Sequence, residues 1–152
     1  LTGATVNNQG LIRSDVSGQT LTVTGTFNNA ASGTLSAQGG GILSMPSSFT
    51  SNPGTIDIGT SSSMTTNGTS LANTGTLRGS GTLNLAGTGT LTNNGIVMPG
   101  GSGTVGTLAI TGHYQGGTGT LAADITGAAA RDLLAVSGTA TLGGTLAANV
   151  TY

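Results

Sequence analysis

The chain has 152 residues, three arginines against four aspartates for a formal net charge of −1, and neither lysine nor cysteine. Arg13, Arg78 and Arg131 lie far apart, so the basic patch that nucleic acids or anionic membranes require is missing, and the lack of cysteine excludes a disulfide scaffold and a thiolate zinc site. Charged residues make up 5% and hydrophobic ones 35%, which argues against a linker held open by charge, and no apolar run reaches the length of a membrane span.

Glycine punctuates what remains. Gly10, Gly33, Gly54, Gly75, Gly95, Gly119 and Gly144 each stand two residues before an aliphatic side chain, at intervals of 20 to 25 residues. Four of these marks share the phrase Asn-x-Gly-x-aliphatic, at Asn8-Gly10, Asn52-Gly54, Asn73-Gly75 and Asn93-Gly95. A period in the low twenties is the signature of a solenoid. Within the early repeats a strand is expected just after the marker glycine. A second apolar site follows half a repeat later (Leu21, Leu43, Met64, Leu85), and a third just before the next mark (Phe27, Phe49, Leu71, Leu91).

Period-two alternation at Thr20 to Thr24, at Leu83 and Leu85, at Leu108 and Ile110, and from Leu121 to Ile125 puts one set of side chains inside and the other in water. The best helical stretch, Ala128 to Leu134, is short and glycine-flanked, so nearly all regular structure is expected to be β. Three short strands per repeat make an all-β, right-handed parallel β-helix of about seven coils, roughly 33 Å long at about 4.8 Å per coil. No single coil folds alone in such a stack. Asn tolerates, and Gly freely adopts, a left-handed backbone, so each Asn-x-Gly is expected to turn a corner. Stacked Asn side chains can also hydrogen-bond from coil to coil. The chain opens in mid-pattern at Leu1, as a piece of something longer would.

From Pro99 the rhythm loosens, through Pro99-Gly100-Gly101-Ser102, then Gly106-Thr107-Leu108-Ala109-Ile110-Thr111-Gly112-His113-Tyr114, and later Asp132-x-Leu134-x-Val136-x-Gly138-x-Ala140-x-Leu142-Gly143. Over residues 93–150 this resembles the C-terminal end of the passenger region of bacterial autotransporters, with His113 in place of the usual Asp or Asn. The resemblance implies a β-helix exported through an outer membrane to the cell surface. It further implies regular coils over 1–98, autochaperone-like coils of the same domain over 99–152, and a β-barrel translocator elsewhere in the parent chain.

Candidate chemistry is sparse. Gly101-Gly103-Gly106 matches a dinucleotide fingerprint, with Asp124 downstream, but Thr107 to Thr111 reads as a strand where the mechanism needs a helix N-terminus. Of the four acids Asp15, Asp57, Asp124 and Asp132, only the last two are neighbours, beside Arg131, where a local ion pair is expected. A sugar-cleaving solenoid would need Asp57, Asp124 or Asp132 to converge on one face. His113 has no partners for a metal site or triad, and Asp does not recur as a calcium-binding repeat would require. Thr20-x-Thr22-x-Thr24, Thr88-x-Thr90-x-Thr92 and Thr139-x-Thr141 invite comparison with ice-binding solenoids, but the array is broken at Asn84 and Ala86. The expectation is therefore a non-enzymatic stalk without cofactor or metal. It would be adhesive towards other cells, matrix or host surfaces and self-associating end to end, with an ice-binding or matrix-forming solenoid and a polysaccharide-degrading enzyme as alternatives.

Overall fold

A three-residue strand of alternating Thr and Leu buries too little apolar surface to stand alone, so each must find its hydrogen-bond partners and half its core in the next repeat. The computed structural model describes residue 2 and residues 4–151. It shows an all-β parallel solenoid of about seven coils, without helix among the described residues.

The first coil comprises β1 (Thr5–Asn8), β2 (Leu11–Ser14) and β3 (Thr20–Thr22), and the second β4 (Thr26–Asn29), β5 (Thr34–Ala37) and β6 (Ile42–Ser44). The third contains β7 (Ser51–Asn52), β8 (Thr55–Ile58) and β9 (Ser63–Thr65), and the fourth β10 (Leu71–Asn73), β11 (Thr76–Gly79) and β12 (Thr82–Asn84). Next come β13 (Thr90–Asn93), β14 (Ile96–Pro99) and β15 (Thr107–Thr111), then β16 (His113–Gly116), β17 (Thr120–Ile125) and β18 (Leu133–Val136). The seventh coil holds β19 (Ala140–Thr141) and β20 (Thr145–Val150). Each marker glycine lies between the first and second strands of its coil.

Stacking makes three faces. The second strands form one continuous seven-stranded sheet from β2 to β20, and the third strands a six-stranded sheet from β3 to β18. The first strands form a pair, β1 with β4, and a five-stranded sheet from β7 to β19. The break falls where Pro46 precedes β7: Phe49 is drawn into a turn by its N–H to Pro46 O, 2.9 Å. Ser48 Oγ then stands in for the missing strand, accepting the N–H of Phe27 at 3.2 Å and donating to Gly25 O at 2.9 Å. The Phe27 and Phe49 rings still meet edge to face, 5.5 Å apart, so the core crosses the break intact.

The core is columnar. On the second face Ile12, Leu35, Ile56, Leu77, Val97, Leu121 and Leu146 stack in register. On the third face the column is Leu21, Leu43, Met64, Leu83, Ile110 and Val136. This corrects one expectation: Leu83, not Leu85, continues that column. Leu85 lies two residues further on, where its N–H bonds Thr111 O as the Met45 N–H bonds Thr65 O, and it is fully buried. The stretch Ala128 to Leu134 holds no helix either; Ile125 and Arg131 form an antiparallel bridge, and Leu133 opens β18.

A second correction concerns the marker glycines. Of the seven only Gly144 has a positive φ, 66°. Left-handed residues occupy the other two corners, as at Ser61 (63°), Asn67 (53°) and Ala86 (51°). The markers need glycine for close approach instead. A Cβ on Gly75 would overlap the carbonyl oxygens of Gly54 and Pro53, and one on Gly95 that of Gly75, because each marker carbonyl accepts the N–H that follows the next marker. Those bonds, from Thr34 N to Gly10 O up the stack to Thr145 N to Gly119 O, measure 2.6–2.9 Å.

Gly10 has nothing within 4 Å of its virtual Cβ. Gly10→Ala is therefore expected to change stability by less than about 0.5 kcal/mol, and Gly75→Ala to cost several-fold more by forcing two coils apart. Urea unfolding of the two variants compares them at the same sequence motif.

Candidate functional site

In the first five coils the second-face strand is entered through a buried amide. Asn8, Asn29, Asn52, Asn73 and Asn93 are all nearly or fully buried, and they occupy successive coils. Each Nδ2 donates to the Oδ1 of the next: Asn8 to Asn29 at 2.8 Å, Asn29 to Asn52 at 2.8 Å, Asn52 to Asn73 at 2.9 Å and Asn73 to Asn93 at 3.1 Å. The same nitrogens hold backbone carbonyls at the corner, including Thr34 O (3.1 Å), Gly54 O (3.1 Å), Ile96 O (3.0 Å) and Thr120 O (3.1 Å). An amide suits the position because it both donates and accepts, so it can pass a hydrogen bond along the axis without a net charge. Among the described residues no buried side-chain nitrogen or oxygen lacks a partner.

Asn29 has no Asn-x-Gly phrase, because two additional residues separate it from Gly33. The usable signal was the pair of doublets Asn7-Asn8 and Asn28-Asn29, 21 residues apart, which also stack outside the core through Asn28 Nδ2 to Asn7 Oδ1, 3.0 Å. Above Asn93 the rung is Gly116. There Tyr114, a core residue, hydrogen-bonds the Asn93 side chain and ends the ladder.

The carboxylates also hold backbone. Asp124 accepts the Gly103 N–H at 2.9 Å and the Asn149 amide at 2.9 Å; Asp132 accepts the N–H of Gly106 and of Asp124, each at 2.8 Å. The pair clasps the loop between β14 and β15 to β17 and β20. Gly103 and Gly106 belong to the dinucleotide-like phrase, so the amides a phosphate would need already face carboxylates, and a strand follows them. The ion pair expected at Arg131 does not form; among the described residues the pairs are Arg13 with Asp15 (3.1 Å) and Arg78 with Asp57 (2.9 Å). Both are exposed enough to add at most about 1 kcal/mol.

Asp57 lies on the third coil and Asp124 on the sixth, about 14 Å apart along the axis at the β spacing, beyond the reach of a paired acid and base. An open groove of about 390 Å³ beside the clasp is lined by Met98, Ser102, Ala122, Asp124, Ala147 and Asn149, without an aromatic platform. No group of three His or Asp side chains converges among the described residues. His113 lies on the outward side of β16, its Nδ1 accepting the Thr139 N–H at 2.9 Å.

The hydroxyl pattern is also resolved by register. On the third face Thr22, Ser44, Thr65, Asn84 and Thr111 stack as one outward column, although their offsets from the marker glycines vary with corner length. The neighbouring column runs Thr20, Ile42, Ser63, Thr82 and Ala109, so Thr-x-Thr survives there in the first coil alone. Several hydroxyl and amide oxygens are engaged in corners, Thr65 Oγ1 by the Asn67 N–H and Asn84 Oδ1 by the Ala86 N–H. No helix among the described residues is long and apolar enough to cross a membrane. Comparison with protein-family models, with curated proteins and with solved structures finds no match to this chain.

Burial pushes the Tyr114 hydroxyl above the ordinary phenol value of 10.0, an effect the Asn93 hydrogen bond partly opposes. A folded-state value above the unfolded one means that the stabilisation is complete below about pH 10 and is lost as pH rises through the folded value. In a Tyr152→Phe background, where Tyr114 is the one remaining phenol, ultraviolet titration is expected to give a midpoint above 10. Adding Tyr114→Phe should remove this phenol's contribution to the alkaline fall in stability.

Proposed function

We propose that the chain is part of the stalk of a secreted bacterial surface protein of the autotransporter-passenger kind, adhesive and without catalytic activity. The observation that carries this reading is the stack itself, in which the second strands form one sheet through all seven coils. The polar groups best placed for chemistry, the buried amides and the paired carboxylates of Asp124 and Asp132, are engaged in holding coils together. Such a rod transmits position over its length, which is what presentation of distal regions requires. The Pro99-Gly100 and Asp132 to Gly143 phrases support the autotransporter assignment, with residues 99–152 as the part that helps the passenger fold.

Adhesion would come from the outward columns. Thr34, Thr55 and Thr76 on the second face present uncharged hydroxyls on three successive coils. Weak bonds repeated along a rod add up through effective concentration, towards other cells, matrix or a host surface.

Displayed on a non-adherent bacterium, the chain is expected to raise cell retention on matrix-coated or host-cell layers above the empty display system. Gly75→Ala should lower retention in step with the loss of folded rod. Retention no better than the empty system would overturn the adhesive reading. Depolymerisation of a polysaccharide would move the assignment to an enzyme, and thermal hysteresis to an ice-binding solenoid. The encoding frame beyond Tyr152 is expected to read into the turn-separated strands of a β-barrel.

A further inference from the structure

The chain contains two Asn-Gly pairs, Asn67-Gly68 and Asn94-Gly95, both at corners of middle coils. Asn-Gly is the pair most open to attack by a backbone nitrogen on the preceding side-chain amide, because glycine has no Cβ to hinder the approach and its backbone rotates freely. In sequence the two pairs are equivalent. Their corners are not.

Asn94 is clamped. Its N–H bonds Asn73 O at 2.8 Å, the Ile96 N–H bonds Gly75 O at 2.8 Å, and its Oδ1 accepts the Thr118 N–H at 3.2 Å. Gly95 between them is a marker glycine, already pressed against the carbonyl of Gly75 in the preceding coil. Turning the Gly95 nitrogen towards the Asn94 side chain would break these bonds between coils. Asn67, by contrast, is exposed in the corner between β9 and β10, with a left-handed φ of 53°. The Gly68 N–H has no hydrogen-bond partner among the described residues. The atoms nearest to a Cβ placed on Gly68 are Ala86 Cβ at 3.8 Å and Thr88 Oγ1 at 3.9 Å, so this peptide has room to turn.

We propose that Asn67 is a self-modification site, which converts to aspartate and isoaspartate without enzyme or cofactor. The Gly68 nitrogen adds to Asn67 Cγ: a Cγ–N bond forms, the Cγ–Nδ2 bond breaks, and Nδ2 leaves as ammonia with the proton from Gly68. Water then opens the five-membered imide, at Cγ to give aspartate or at the main-chain carbonyl carbon to give isoaspartate. The inference is independent of the adhesive reading.

Conversion changes the corner. Asn67 Nδ2 donates to Met45 O at 3.0 Å and to Ser44 Oγ at 3.3 Å, and so ties its corner to the preceding coil. Either product replaces that donor with a carboxylate oxygen, which faces the Met45 carbonyl as one acceptor against another. Isoaspartate also lengthens the main chain of the corner by a methylene. At Asn94 the side chain uses its oxygen as an acceptor, a role that a carboxylate keeps. Reaction at Asn67 therefore loosens the rod at one corner and adds a negative charge to a chain of net charge −1.

The test incubates the full, folded chain in mildly alkaline buffer, then unfolds it and cuts after its three arginines, which places Asn67 in residues 14–78 and Asn94 in residues 79–131. Mass spectrometry is expected to show the amide-to-acid gain in the first peptide at least about 10-fold faster than in the second, and the two rates to come together in urea, where neither corner is folded. Labelling by an isoaspartyl methyltransferase should grow in step, and Asn67→Gln should remove the fast gain. Asn67→Asp, which reproduces one product, is expected to lower the urea midpoint, whereas Asn94→Asp should leave it unchanged. Equal rates at the two sites of the folded chain, or no conversion at Asn67, would overturn the inference. An unchanged midpoint in Asn67→Asp would overturn the consequence drawn for the rod.

Discussion

Coils of this chain must lie within about 4.8 Å of one another in a fixed register, and nearly every other feature follows from that spacing. Two devices enforce it at the same corner. Marker glycines such as Gly54, Gly75 and Gly95 leave no room for a Cβ, which brings the carbonyl of one coil onto the N–H of the next. Beside them the amides from Asn8 to Asn93 bond in series along the axis. The aliphatic columns add the bulk of the burial, but one aliphatic can slide past another, whereas a buried amide that slips by a rung loses its partner.

Where these devices stop, the rod changes character. The ladder ends at Asn93 and Tyr114, and from there the corners lengthen, with the loop after Pro99 held by Asp124 and Asp132 and the hairpin-like bend around Arg131 beyond it. The clasp replaces amide-to-amide stacking with carboxylates that accept backbone N–H groups, a charge-assisted bond that tolerates longer loops. A regular shaft and a clasped collar are thus two zones of a single stack.

Much of this architecture could be read directly from the residues. The seven marker glycines and the aliphatics two places after them located every second-face strand, because close approach at the corner and burial just beyond it are both demanded once per coil. Columns beyond the next corner were harder to place. Corners differ in length from coil to coil, so counting from the glycine put Leu85 in the column that Leu83 fills, and hid the alignment of Thr22, Ser44 and Thr65. Asn29 escaped for the same reason, its corner being two residues longer than its neighbours'. The conformational role first assigned to the markers was also mistaken: glycine reports lost space as readily as a left-handed backbone, and sequence does not distinguish them. The clasp was illegible, because it depends on a bend that brings the Asp132 carboxylate to the backbone of Asp124.

The central claim, that the buried amides lock the register, is tested most directly by hydrogen exchange at the side chains themselves. The Nδ2 protons of Asn29, Asn52 and Asn73 are predicted to exchange as slowly as the backbone amides of β8 and β11, through global unfolding alone, while those of Asn28 on the outside exchange quickly. Fast exchange at Asn52 with the β8 and β11 backbone still protected would show that the coils keep their register without the ladder, and would contradict the account.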